Sequence, residues 1–355
     1  MRIAPGTADA RSSEAAFRLG ISQLRRLMNI LIAYDGSGCA ESAIDDLDRA
    51  GLQEKGSAHV ISVAEVWLPP PDSIDNPVEK APVYIEEIVR HHRAKGERVL
   101  AEASIHVKHA EARVRTALPG WTVTSSATYG SPAWEILAAA DELSSDLIVV
   151  GSQGQSGLSR FLLGSISQKV LTEAHCSVRV ARGKNLADSV SGAARIILGF
   201  DGSKGATAAV DAVAARDWPE STEVRLVTAT ELVTPIAITR FVPPVVRMVE
   251  EVNLAEQHWV EQLADTAVTK LRGSGLEASL RVRAGNPKQI LVEEAEAWGA
   301  DCIFVGANAY GSRLERVLLG TTSAAVAARA YCSVEAVRVR VPAPPVSNGK
   351  SASAP

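Results

Sequence analysis

The chain repeats itself, and this duplication constrains its fold more than any other feature of the sequence. "NILIAYDGSGCAESAI" (29–44) is answered by "RIILGFDGSKGATAAV" (195–210): an apolar run, Asp-Gly-Ser, then an alanine-rich helical pattern. "ATYGSPAWEILAAADELSSDLIVVGS" (127–152) is answered by "RVRAGNPKQILVEEAEAWGADCIFVGA" (281–307), and "AHCSVRVAR" (174–182) by "AYCSVEAVR" (330–338). The landmarks keep one order, so the fold of the first half must be the fold of the second. The 355 residues are enough for two ordinary domains with full cores. The expected division is a domain over 27–183, a linker at 184–192 and a second domain over 193–341. Segments 1–26 and 342–355 read as disordered or loosely attached.

Within each half, apolar strand candidates alternate with helical stretches. They fall near 29–34, 58–66, 121–128, 146–150 and 177–182, then near 195–200, 223–230, 278–284, 301–305 and 333–340. "DLIVVG" and "DCIFVG" are apolar throughout, as strands covered on both faces must be. Helical stretches near 83–117 and 244–273 are long enough for right-handed crossovers between parallel strands. The fold class is therefore α/β: two tandem, doubly wound, mainly parallel five-stranded sheets flanked by helices. Such sheets take ligands beyond the carboxyl ends of their strands. Asp35 and Gly151 fall at that edge in the first half, Asp201 and Gly306 in the second.

Composition removes several function classes. With 37 basic and 41 acidic residues the net charge is −4, which does not suit nucleic acid. No apolar run reaches the roughly 18 residues of a membrane span, and no apolar stretch near the N-terminus reads as a secretory signal. The four cysteines form no CxxC pair, so a reduced, cytoplasmic protein is expected. Cys176 and Cys332 recur in the two halves and read as small buried hydrophobes. His91, His92, His106 and His109 read as solvated side chains on a charged helix. Ser37 and Ser203 read as helix caps.

The chemistry concentrates in "VGSQGQSGLSRFLLGSIS" (150–167), spaced Gly151-x2-Gly154-x9-Gly164-Ser165 directly after a buried strand. It is not a Walker A loop, because no lysine follows Gly164, and not a dinucleotide fingerprint, which follows the first strand rather than the fourth. A G-x-S-x-G elbow is also absent. Gly151 ends a strand, where a ribose or phosphate can lie against the main chain. Gly154 suits a backbone angle closed to other residues. Gly164 and Ser165 open the last helix, whose free amides carry about half a unit of positive charge and suit a phosphate. Ser165 can donate to that phosphate or cap the helix, and Asp35 can bind a ligand, cap the helix after it, or do both. The residues alone reach a phosphate-bearing ligand and no further.

Strand, loop, helix and upstream aspartate together resemble the universal stress protein family in its ATP-binding subgroup, as a tandem pair over nearly the whole chain. The resemblance implies that Gly151, Gln153, Gly154, Gly164, Ser165 and Ile166 line the triphosphate and ribose of ATP. It implies that Asp35, with the backbone of Ala33 and Val63, holds the adenosine end. Gln153 stands where many relatives carry a basic residue, and Arg160 is the nearest cation in the loop. The implied role is a stress-response, nucleotide-dependent regulator. The expected companion ion is Mg²⁺ or Mn²⁺ held through the phosphates, and neither a metal site of protein side chains nor a catalytic residue is expected. Weak ATPase or autophosphorylation activity is the most that is expected. Two alternatives stay open: an ATP-using enzyme with slow hydrolysis or phosphoryl or adenylyl transfer, and a nucleotide-free interaction scaffold. The resemblance further implies an intrachain pseudo-dimer through the last strands, "CSVRVAR" and "CSVEAVRVR", with homodimerisation of the chain as a further step. Pairing also hides apolar edges that would otherwise invite aggregation.

The near-copy "VGANAYGSRLERVLLGTTS" (305–323) gives a second candidate site of Asp201, Ala229, Gly306, Gly320 and Thr321. Ala309 stands in the place of Gly154, and the first and last glycines are 14 positions apart (320 − 306) against 13 (164 − 151). The expectation is a weaker or empty second site, with the extra residue shifting the helix entrance and Gly311 offering an alternative turn.

Overall fold

The computed structural model describes residues 26–66, 83–153, 163–183, 193–230, 243–307 and 320–339. The first half runs β1 (Met28–Ala33), α1 (Gly38–Asp45), a 3-10 turn (Asp46–Arg49), β2 (Gly56–Ala64), α2 (Val83–Ala117), β3 (Thr122–Tyr129), α3 (Pro132–Glu142), β4 (Leu147–Gly151), α4 (Ser165–Glu173) and β5 (Ser177–Ala181). The second half runs β6 (Arg195–Gly199), α5 (Lys204–Ala214), β7 (Glu223–Thr230), α6 (Pro243–Gly273), β8 (Glu277–Ala284), α7 (Pro287–Trp298), β9 (Cys302–Gly306), α8 (Thr321–Arg329) and β10 (Ser333–Val337). Every expected strand and both long crossover helices are present. The two five-stranded sheets are fused into one ten-stranded sheet of order β3-β2-β1-β4-β5-β10-β9-β6-β7-β8. All pairs are parallel except β5 with β10.

Burial follows position in the sheet. The inner strands β4 and β9 are buried over their first four residues, as their unbroken apolar sequences require. The outermost strands β3 and β8 carry alternating polar and apolar residues and share one alternating burial pattern. Helices α1 and α2 cover one face of the first half and α5 and α6 the corresponding face of the second. The opposite face has a single core that crosses the junction. It joins Val170 and Leu171 of α4 and Val178 of β5 to Val326 and Ala327 of α8 and Val334 of β10.

The junction is nearly symmetric. The Arg182 amide donates to Ser333 Oγ at 3.0 Å, and the Arg338 amide to Ser177 Oγ at 3.2 Å. Arg182 Nη2 reaches Ala327 O at the end of α8 (2.7 Å), and Arg338 Nη2 reaches Leu171 O at the end of α4 (2.7 Å). Each arginine thus meets the negative end of the other half's last helix. The symmetry breaks at the centre, where Arg179 and Glu335 lie directly opposite each other and both are fully buried. Arg179 Nε donates to Asp46 Oδ2 at 2.6 Å, and its Nη1 lies 3.4 Å from Glu335 Oε2. Arg216 donates to both Glu335 oxygens, and Ser333 Oγ donates to Asp46 Oδ1 at 2.8 Å. Burial opposes the charge on Arg179, but the negative partners led by Asp46, with Glu335 among them, outweigh it and hold the guanidinium well above its ordinary pKa. Alongside, Trp218 of the second half packs on Gly51 of the first. A Cβ at Gly51 would lie 2.6 Å from the indole, and the residue's φ of +59° also favours glycine.

Removing one partner from such a cluster strands buried charge. Arg179→Met is expected to destabilise the chain by about 3–5 kcal/mol in urea unfolding. Lys270→Met, which breaks the half-exposed pair with Asp211, is expected to cost less than about 1 kcal/mol. Equal effects would contradict this view of the junction.

Candidate functional site

The carboxyl edge of the first half opens into a cleft of about 800 Å³ between β1, β2, β4, α2, α3 and the start of α4. The first-half candidates that fall within the described residues all line it: Ala33, Asp35, Val63, Gly151, Gln153, Gly164, Ser165 and Ile166. Gly154 and Arg160 lie outside the described residues, as do Ala309 and Gly311 of the second loop. One side of the cleft is apolar, from Ala33, Ile61, Val63 and Ile136. The other carries the first residues of α4, whose leading amides have no partner within the helix.

Asp-Gly-Ser after β1 is a compact turn. Asp35 Oδ1 accepts from the Ser37 amide at 3.0 Å, Gly36 takes φ +77°, and Ser37 Oγ accepts from the Ala40 amide at 3.2 Å to cap α1. Asp201, Gly202 and Ser203 repeat it before α5, with 2.9 Å, +74° and 3.1 Å. Both serines are caps, as expected. The aspartates hold the turn rather than cap the helix, and Asp35 does so from the cleft wall.

Gly151 has a reason that ligand approach does not supply. A Cβ there would lie 2.9 Å from the carbonyl group of Cys39, in the first turn of α1. At Gly306 the same atom would lie 2.3 Å from the carbonyl carbon of Gly205 in α5. Glycine ends both strands because a helix backbone passes directly over them. Gly164 differs: its φ of −63° and ψ of 151° are open to any residue. Its amide donates to Ser152 O at 2.8 Å and its carbonyl accepts from Gln168 at 2.8 Å, which closes the loop and starts the helix. Gly164 itself occupies the N-cap position and Ser165 is the first helical residue, so Ser165 does not cap α4. Ser167 Oγ ties the helix back to Gly151 O at 2.7 Å.

In the second half, Ala229 lies on β7 and Gly306 ends β9. Gly320 is the N-cap of α8 and Thr321 its first residue. The Gly320 amide donates to Ala307 O at 2.7 Å, and Ser323 Oγ to Gly306 O at 2.6 Å. The base of the loop therefore matches the first half closely. The helix entrance is tied to the strand end by the same hydrogen bonds in both halves, so the additional residue does not shift it, contrary to the expectation from spacing.

Sequence reasoning missed one wall. Lys95, Val99, Glu102 and His106 of α2 line the cleft, spaced i, i+4, i+7 and i+11 on one helical face. His106 is not a solvated side chain. Its ring packs over Gly36, where a Cβ would sit 2.7 Å from Nδ1. His109 is exposed, 3.7 Å from Glu41. The spacing of these polar residues was the available signal. Glu65 also lines the cleft. Burial lifts the Cys176 thiol to about 12, against the pull of Arg338, in keeping with an inert side chain. Among the described residues no group of three or more His, Cys, Asp or Glu is arranged to hold a metal ion. Among them also, no helix is long and apolar enough to cross a membrane.

Fold and cleft define a tandem α/β protein with an open cleft at the carboxyl edge of its first half. The model of the Universal stress protein family matches residues 27–182 and again 193–338, and the chain belongs to that family, in tandem form. It is 29% identical over 153 residues to universal stress protein YxiE of Bacillus subtilis, covering 43% of this chain and 97% of that protein. It is 33% identical over 153 residues to a universal stress protein of Thermus aquaticus, again 43% and 97%. Each relative thus matches the length of one half. A crystal structure of a universal stress protein from Archaeoglobus fulgidus covers 87% of this chain and 96% of its own at 21% identity, with a TM-score of 0.50, a likeness of fold.

The packing role of the strand-end glycine has a direct consequence. Gly151→Ala is expected to destabilise the chain by about 1–3 kcal/mol, because helix backbone must move, seen as a lowered thermal midpoint without any ligand. An unchanged midpoint would return Gly151 to a purely ligand-facing role.

Proposed function

We propose that the first-half cleft binds ATP and that the protein acts as a nucleotide-dependent regulator in a stress response, without catalytic residues of its own. The observation that carries this reading is the convergence on one cleft of Asp35, Gln153, Gly164, Ser165 and Ile166, residues separated by up to 131 positions (166 − 35). The apolar strand ends suit a base and the start of α4 suits phosphate. A volume of about 800 Å³ is within the usual range for a small-molecule site. Family membership supports the same role.

The charges of the cleft bear on the cofactor. Asp35, Glu65 and Glu102 outnumber Lys95 among the described lining residues, a balance unfavourable for a bare polyphosphate. Mg²⁺ or Mn²⁺ carried by the phosphates offsets that repulsion. Gly164 and Ser165 would face the phosphates, and Asp35 with the backbone of Ala33 and Val63 the nucleoside. In the second half Asp201, Ala229, Gly306, Gly320 and Thr321 form a site that binds at least tenfold more weakly or stays empty.

Calorimetry with ATP and Mg²⁺ tests this, with one strong site per chain as the expected stoichiometry. Valine fits the backbone angles at Gly164, so Gly164→Val is expected to block the phosphate approach without backbone strain, with circular dichroism to check the fold. It is expected to weaken ATP at least a hundredfold, about 2.8 kcal/mol. Two equal sites, or an unaffected variant, would refute the assignment.

A further inference from the structure

We infer that the cleft-facing side of α2 helps to determine which half of the chain accepts a nucleotide; this rests on the nucleotide reading of the first-half cleft. The described frame of the two candidate sites is the same. Both have the aspartate turn, the strand-end glycine under a helix backbone, and the loop closed from the helix entrance. The helix beside that frame is different. His106 packs over Gly36 and Leu263 over Gly202, where a Cβ would lie 3.1 Å from Leu263 Cδ1. That contact fixes the register of α2 against α6. Buried Val107, Ala110 and Val114 then correspond to buried Ala264, Ala267 and Leu271.

In this register Lys95, Glu102 and His106 correspond to Val252, Trp259 and Leu263. The first half presents an ammonium, a carboxylate and an imidazole to its cleft. The second half presents Trp259, 56% exposed, and Leu263, 36% exposed. A polyanionic ligand gains a charge-assisted contact from Lys95, while Glu102 and His106 offer hydrogen-bonding groups to the hydroxyl and amino groups of a nucleoside. The matching positions of α6, Val252, Glu256, Trp259 and Leu263, carry no cation, and the apolar surface of Trp259 and Leu263 cannot replace the ligand's hydration. Lys95 is the lysine among the described residues lining the cleft, and it offers a charge that Gln153 does not. Its contribution grows with the number of phosphates on the ligand.

The two halves also supply the test, because each substitution already occupies the matching position of the other half. The chain carrying Lys95→Val, Glu102→Trp and His106→Leu is titrated with Mg·ATP, AMP and adenosine beside the wild type. The expected result is ATP weakened at least tenfold and adenosine weakened less. Wild-type binding that the triple variant retains in full would overturn the role of α2 alone. A wild type that binds none of the three ligands would overturn the nucleotide reading and this inference together. Should the triple variant fail to fold, judged by circular dichroism, Lys95→Val alone decides. Its affinity loss must increase from AMP to ATP, and a loss independent of phosphate number overturns the assignment.

Discussion

The structure turns on the antiparallel pairing of β5 with β10, which sets Arg179 against Glu335 at the centre of a ten-stranded sheet. Neither side chain reaches solvent, so their charges must be answered within the protein, and Asp46 and Arg216 complete the answer. Two identical domains joined this way would place like charges opposite each other. In this chain the two copies carry complementary residues at this position, while Arg182 and Arg338, off the centre, are alike. The pairing also sets the direction of everything attached to it. Each half is parallel within itself, so an antiparallel junction points the two carboxyl edges to opposite sides of the sheet. The two candidate sites are therefore separate and share no ligand.

Much of what repeats between the halves is frame. The Asp-Gly-Ser turn begins a helix, the strand-end glycine makes room for that helix, and the loop glycine receives the chain at the next one. Each feature has a packing or hydrogen-bonding reason independent of any ligand. Such motifs mark the fold faithfully, and a ligand reading needs other groups beside them. In the first half Lys95, Glu102 and His106 line the same cleft. The proposed function rests on the convergence of Asp35, Gln153, Gly164, Ser165 and Ile166 on one cleft, to which these α2 side chains are added.

The fold was largely legible in the sequence because duplication shows each element twice. An ambiguous run such as 278–284 gains from its partner 121–128, and the two become edge strands with one burial pattern. The serine caps were legible because local chemistry decides them. The backbone reason for Gly151 was not, since α1 approaches β4 from more than a hundred positions away in sequence. The place of His106 was hidden for a related reason: a charged helix looks solvated until the turn at Gly36 is known to pack beneath it. Nor does the longer spacing of the second loop reveal that its base is closed by the same hydrogen bonds as the first.

The claim that one half is furnished for a nucleotide and the other shares only its frame is tested most directly by hydrogen exchange of the full chain with and without Mg·ATP. The account predicts slower exchange confined to the first half, in the turn after β1, the end of β2, the middle of α2 and the start of α4. The matching segments around Gly202, Thr230, Trp259 and Gly320 should be unchanged. Equal protection in both halves, or none in either, would contradict it.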